Sequence, residues 1–175
     1  MRVLVTGGVR SGKSRHAESL LAAHDRVVYV APGPTTAEDP DPDWAARLAA
    51  HRARRPAGWT TVETRDLAGA LRAADAPVLV DCLGTWLTGV LDERGLWESP
   101  STEVAAAVDE LLDGAAAALA EVPDVVLVTN EVGLGVVPAH RSGRLFRDLL
   151  GTVNQCLAAA CDEVHLVVAG RVLRL

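Results

Sequence analysis

The sequence predicts a three-layer α/β domain: a mostly parallel sheet with helices on both faces and an antiparallel hairpin at its C-terminal edge. Three observations predict it. Short apolar runs rich in Val and Leu alternate along the chain with longer amphipathic stretches. The central runs are apolar throughout, as strands covered on both faces are. The closing EVHLVVAGRVLRL carries two short strands around Ala169 and Gly170, which makes an antiparallel edge.

Each element has its own signal. RVLVTG, residues 2–7, is a β-rich run that enters a Gly-Gly turn. Residues 13–24 read as a helix with Ala17, Leu20 and Leu21 turned inward, and residues 26–31 as a second strand. The Pro/Asp-rich stretch 32–43 is a loop of the kind that is mobile or serves as a lid. Asp43 can cap a helix from Trp44 to about Arg55, which Pro56 stops. TTVET is a short strand and residues 66–75 a short helix. Residues 76–83 form another buried strand. Residues 85–91 and 101–121 are helical, with the loop DERGLWESP between them. DVVLVTNEV, 124–132, is a strand, and 141–161 a long amphipathic helix.

The chain has 175 residues, enough for one domain over 1–175 and too few for two ordinary ones. Its net charge of −6 argues against bulk attraction to nucleic acid or to an anionic membrane. No apolar run approaches a membrane span, and the first residues lack the apolar core of a signal peptide. Cys82, Cys156 and Cys161 show no metal-binding spacing and read as small buried hydrophobes. A reduced, cytoplasmic setting is the expectation.

Of 17 basic residues only one, Lys13, is a lysine. It lies in GGVRSGKS, residues 7–14, which matches G-x-x-x-x-G-K-S between a strand and a helix. In that pattern the backbone N–H groups of Gly7, Gly8, Val9, Arg10, Ser11, Gly12, Lys13 and Ser14 turn toward phosphate oxygens. The helix dipole adds positive potential. Lys13 reaches the β/γ-phosphates, and Ser14 serves Mg²⁺. A P-loop protein also needs an acid at the end of another strand on the metal's side, and VLVD ends in Asp81. TNEV, 129–132, ends a later strand, either pointing into the site or capping a turn. A GTPase switch would need a second lysine to read guanine, and a RecA-type motor usually needs a larger chain and a polymer partner. A small-molecule phosphotransferase fits the size.

One stretch stands apart. RLAAHRARRP, 47–56, sets His51 among Arg47, Arg52, Arg54 and Arg55 in an acidic chain. On a helix, Arg47, His51 and Arg55 share a face. Neighbouring cations lower a histidine's pKa and favour the neutral, nucleophilic imidazole.

The chain resembles the bifunctional adenosylcobinamide kinase/adenosylcobinamide-phosphate guanylyltransferase family of cobalamin biosynthesis, nearly end to end. The resemblance rests on VTGGVRSGKSRHAE (5–18), DCLGTWLTG (81–89), TNEVGLGVVP (129–138), FRDLLGTVNQ (146–155) and DEVHLVVAG (162–170). It implies a P-loop NTPase-type domain with a RecA-like sheet. It implies phosphorylation of the aminopropanol hydroxyl of adenosylcobinamide by ATP or GTP. GMP then passes from GTP to that phosphate through a guanylylated histidine, with Mg²⁺ as cofactor. It carries the histidine's role to His51 and GTP contacts to Arg52, Ala53, Arg54 and Arg55. Further nucleotide contacts fall on Ala31, Pro32, Gly33, Glu63 and Asp81. It also implies a corrinoid substrate and a homotrimer with sites near the subunit interfaces. The chain departs from the family pattern in its longer Pro-rich loop at 32–43 and in Gly84 and Gly89, where a Thr-rich turn ending in Asn is commoner.

Overall fold

A computed structural model describes residues 1–175. The elements run β1 (Arg2–Gly7), α1 (Lys13–Leu20), β2 (Val27–Ala31), α2 (Pro42–Arg54), β3 (Trp59–Glu63), α3 (Leu67–Ala73) and β4 (Val78–Asp81). They continue with α4 (Leu83–Glu93), α5 (Ser101–Glu121), β5 (Val125–Val128), α6 (Arg141–Ala159), β6 (Glu163–Val168) and β7 (Arg171–Arg174). All seven strands join one sheet in the order β3-β2-β4-β5-β1-β6-β7. Every pairing is parallel except β6 with β7. Strands β1 to β5 therefore end on one edge of the sheet, where ligands of open α/β sheets bind.

The two faces differ. Helices α3, α4, α5 and α6 bury one face, against Leu4, Val30, Val80 and Leu127 among others. The opposite face packs Val3, Val5, Val27, Tyr29, Leu79, Val126 and Val128 beneath α1, through Ala17 and Leu21. Helix α2 has no buried residue at all.

Several boundaries correct the sequence reading. Helix α1 ends at Leu20, four residues short of His24. Leu21, its C-cap, keeps the turn anchored by burying its side chain. Helix α2 is capped by Asp41, not Asp43: the Asp41 side chain accepts from Asp43 N at 2.9 Å. Pro42 takes the first helical position, where its missing N–H costs nothing. The end is as expected, since Arg55, ahead of Pro56, is extended at φ −80 and ψ 140. Strand β5 stops at Val128, because Thr129 to Glu131 turn toward the P-loop and Glu131 N donates to Gly7 O at 3.2 Å. In the hairpin, Ala169 and Gly170 both have positive φ, 49 and 76, as a two-residue primed turn requires.

Candidate active site

The P-loop leaves β1 at Gly7 and enters α1 at Lys13. Gly12, at φ 98, is the N-cap; a side chain there would be strained. The loop is held from behind, where Gly170 N donates to Ser11 O at 2.8 Å. A Cβ on Gly7 would come within 2.4 Å of Val167 O, so the loop lies on β6 as closely as backbone allows. Lys13 is 6% exposed, and its Nζ donates to Gly8 O at 3.2 Å. Burial lowers its pKa, while Asp81 opposes the shift.

Asp81 ends β4 and is nearly buried. Its Oδ2 accepts from the Tyr29 hydroxyl at 3.2 Å and lies 3.6 Å from His51 Nδ1. That second separation is too long for a hydrogen bond. Burial and Asp81 together push the Tyr29 hydroxyl far above its ordinary pKa, so it stays a donor. His51 is held below its usual pKa. Burial is the main cause; Asp81 raises it, and Arg54 and Arg47 lower it. Desolvation, more than the arginines, therefore keeps the imidazole neutral.

The arginines mostly anchor the helix. Arg54 pairs with Glu18 of α1 through two bonds, at 3.0 and 3.3 Å. Arg52 pairs with Glu63 at the end of β3. Arg55 stacks 3.7 Å from the centre of the Tyr29 ring and donates to Thr61 at 2.8 Å and to His51 O at 3.1 Å. Arg47 makes no such pair, yet it lies on both cavities.

Two cavities meet at α2. The larger, about 1080 Å³, is lined by Arg10, Ser11, Gly12, Lys13, Ser14 and Arg15 and faced by Asp39, Asp41, Asp43 and Arg54. The smaller, about 250 Å³, opens among Tyr29, Ala31, Gly33, Arg52, Arg55, Glu63, Asp81, Asn130 and Phe146. Trp44, Arg47 and His51 line both. Val9 joins the smaller cavity from the P-loop. Among the expected residues, Gly7 and Pro32 are buried and Gly8 and Ala53 are exposed; none of the four lines a cavity.

The Pro-rich loop roofs both cavities. Trp44 Nε1 donates to Pro34 O at 2.8 Å, and Arg65 donates to Glu38 at 2.9 Å while also pairing with Glu93. The arginine beside it holds the Glu38 carboxyl down to about 2. Tyr29 is a site residue that sequence reasoning did not single out, while Arg47 and Asn130 were seen only as members of longer stretches, the arginine run and TNEV. Their signals were faint: Tyr29 is the only tyrosine, Arg47 sits one helical turn before His51, and Asn130 lies in TNEV.

No group of three or more His, Cys, Asp or Glu side chains gathers to hold a metal by itself. The donor set fits a magnesium ion brought by a nucleotide. Such an ion takes one or two protein oxygens and fills its shell with phosphate and water. Ser14, in the first turn of α1, lines the P-loop cavity, and Asp81 presents a carboxylate whose only side-chain hydrogen-bond donor is Tyr29.

Comparison with known proteins gives the family. The model of a family described as cobinamide kinase / cobinamide phosphate guanyltransferase matches residues 3–175. Three curated relatives are bifunctional adenosylcobalamin biosynthesis proteins. CobU of Salmonella typhimurium is 45% identical and CobU of Escherichia coli 44%, each over 97% of both chains. CobP of Pseudomonas aeruginosa is 42% identical over 97% of this chain and 94% of its own.

Proposed function

This chain belongs to the cobinamide kinase / cobinamide phosphate guanyltransferase family, and from that premise we propose how its residues divide the two reactions. It is a bifunctional enzyme of adenosylcobalamin biosynthesis, a kinase and a guanylyltransferase in one chain. The phosphate acceptor is the aminopropanol hydroxyl of adenosylcobinamide, with ATP or GTP as donor.

In the kinase step the triphosphate lies along residues 7–14. Backbone N–H groups and Lys13 take the β- and γ-oxygens. Mg²⁺, when bound, neutralises charge on those oxygens, with Ser14 and Asp81 on its protein side. The acceptor oxygen forms a bond to the γ-phosphorus as the bond to the β,γ-bridging oxygen breaks. A nucleoside diphosphate leaves.

In the transfer step His51 attacks the α-phosphorus of GTP and pyrophosphate leaves. Nδ1 faces Asp81, so Nε2 is the attacking atom. The phosphate oxygen of the acceptor then displaces histidine, and the P–N bond breaks to give adenosyl-GDP-cobinamide. Arg47 faces the leaving pyrophosphate, Glu63 serves as a nucleotide contact, and Ala31 and Gly33 border the same cavity. The observation that carries this reading is the position of His51, on the one wall shared by the P-loop cavity and the Asp81 cavity.

No helix is long and apolar enough to cross a membrane. We extend the reading to one domain over 1–175, a cytoplasmic enzyme and a homotrimer, the last tested by mass in solution. The division of labour is tested by His51→Ala. The variant should phosphorylate adenosylcobinamide from γ-labelled nucleotide, yet form no GDP-cobinamide from α-labelled GTP. Normal GDP-cobinamide formation by this variant would overturn the assignment.

A further inference from the structure

Cobinamide is much larger than its reacting arm, and the cavities leave its ring without a place. Pockets that enclose drug-sized ligands hold about 300–1,000 Å³. The smaller cavity, at about 250 Å³, admits the aminopropanol arm and excludes a corrin macrocycle. The larger is walled by Arg10, Lys13, Arg15, Asp39, Asp43 and Arg54, and it is the triphosphate's place. The ring must rest outside, where the surface at the cavity mouth suits an apolar macrocycle rimmed with amides.

Two surfaces expose several apolar side chains: the C-terminal hairpin, with Val168, Val172, Leu173 and Leu175, whose turn meets the larger cavity through Gly170, and the segment that follows the smaller cavity's Asn130. The segment 131–138 is an arch tied at both feet. At the first, Glu131 N donates to Gly7 O at 3.2 Å and Glu131 Oε1 accepts from Gly133 N at 2.6 Å. Asn154 of α6 steadies the approach, donating to Asn130 O at 3.1 Å and accepting from Thr129 at 2.6 Å. At the second, Arg144 of α6 donates to Pro138 O at 3.0 Å and to Ala139 O at 2.6 Å. The crown between the feet is apolar and bare, with Leu134 89%, Val136 95% and Val137 59% exposed. Single exposed apolar residues are ordinary, but three within four positions on an anchored arch mark a recognition surface.

The ends of the arch lead to residues of the smaller cavity. Asn130, just ahead of the arch, and Phe146, from the helix that ties it, both line the smaller cavity. Val9, 70% exposed on the P-loop that the arch's first foot holds, lines it too. We propose that Leu134, Val136 and Val137, with Val9, form an open platform for the corrin ring, from which the aminopropanol arm enters between Asn130 and Phe146. The inference rests on the functional reading above. It goes beyond it by naming the residues that select a corrinoid over a small amino alcohol.

The test is the double variant Leu134→Ser, Val136→Ser, assayed with adenosylcobinamide and with nucleotide varied separately, and weighed by light scattering. The exposed sites leave folding intact, which thermal melting checks, and Leu134→Met should retain the parent's behaviour. The platform predicts a KM for adenosylcobinamide raised at least tenfold. The KM for nucleotide, the GMP adduct and the mass should stay as in the parent. An unchanged corrinoid KM overturns it. So does a fall in mass with all activities lost together, because a second copy would then be what covers the arch. Failure of the parent protein to phosphorylate adenosylcobinamide at all contradicts the functional reading itself, and the platform with it.

Discussion

The cationic residues around His51 do four different things. Arg54 and Arg52 join α2 to α1 and to β3, Arg55 lies on Tyr29, and the Arg47 side chain alone has no hydrogen-bond or ion-pair partner within the protein. The roles separate by mutation. Arg47→Ala touches nothing the fold uses, so stability should stay within about 0.5 kcal/mol by thermal melting. Loss of a charge-assisted phosphate contact, about 1.5–3 kcal/mol, should slow guanylylation roughly tenfold to a hundredfold. Arg54→Ala leaves Glu18 beside the site without its partner, and both stability and turnover should fall. If Arg47→Ala guanylylates normally, Arg47 is a solvated surface charge. Lys13→Ala should abolish the kinase step, since the chain has no other ammonium side chain to offer the γ-phosphate; near-normal phosphorylation would remove the P-loop from the mechanism. Lys13, Asp81 and His51 were legible in the sequence because motif, strand end and arginine run each leave a local mark. The meeting of Tyr29 with Asp81 was not, since it joins residues 52 positions apart across two strands. The cause of the low histidine pKa was misread for a related reason. A sequence shows charge and hides desolvation.

Among the elements, α2 is the exception. It carries the proposed nucleophile yet buries no residue, and ion pairs, the Trp44–Pro34 hydrogen bond and the Arg55–Tyr29 stack hold it. Such contacts place an element at the low end of local stability. Amides of residues 42–54 should therefore exchange faster than those of α5 or α6, and GTP should slow them; protection equal to that of α6 without nucleotide would contradict this. Glu38→Gln, which weakens the tie to Arg65, should speed exchange across residues 34–41 without altering α6. The P-loop is the opposite case. Gly12→Ala forces a side chain into φ 98, at a cost of about 1–3 kcal/mol, and should impair both reactions together. Alternation and apolar runs made the existence of the elements legible. Their ends were less so, because Asp41 and Asp43 offer equal caps until Pro42 is placed, and β5 is cut short by a bond to a distant loop.

At the scale of the whole molecule, the parallel sheet does the assembling. It brings Gly7, Ala31, Glu63, Asp81 and the residues after Val128, from five strands, to one edge. One P-loop and one carboxylate there can serve two phosphorus centres of a triphosphate, with His51 on the wall between the cavities. The α/β class and the C-terminal hairpin were legible from periodicity. The strand order and the division into two cavities were not, since both arise from pairings remote in sequence. Binding confined to the folded state predicts that GTP with Mg²⁺ at a hundred times its Kd stabilises the protein by about 2.7 kcal/mol, and that Lys13→Ala removes most of that shift. The most direct test of the central claim is peptide mapping by mass spectrometry after incubation with GTP and Mg²⁺. One GMP should be found, attached to His51 and released by acid. A GMP on His16 or any other residue, or an unmodified chain that still makes GDP-cobinamide, would contradict the account.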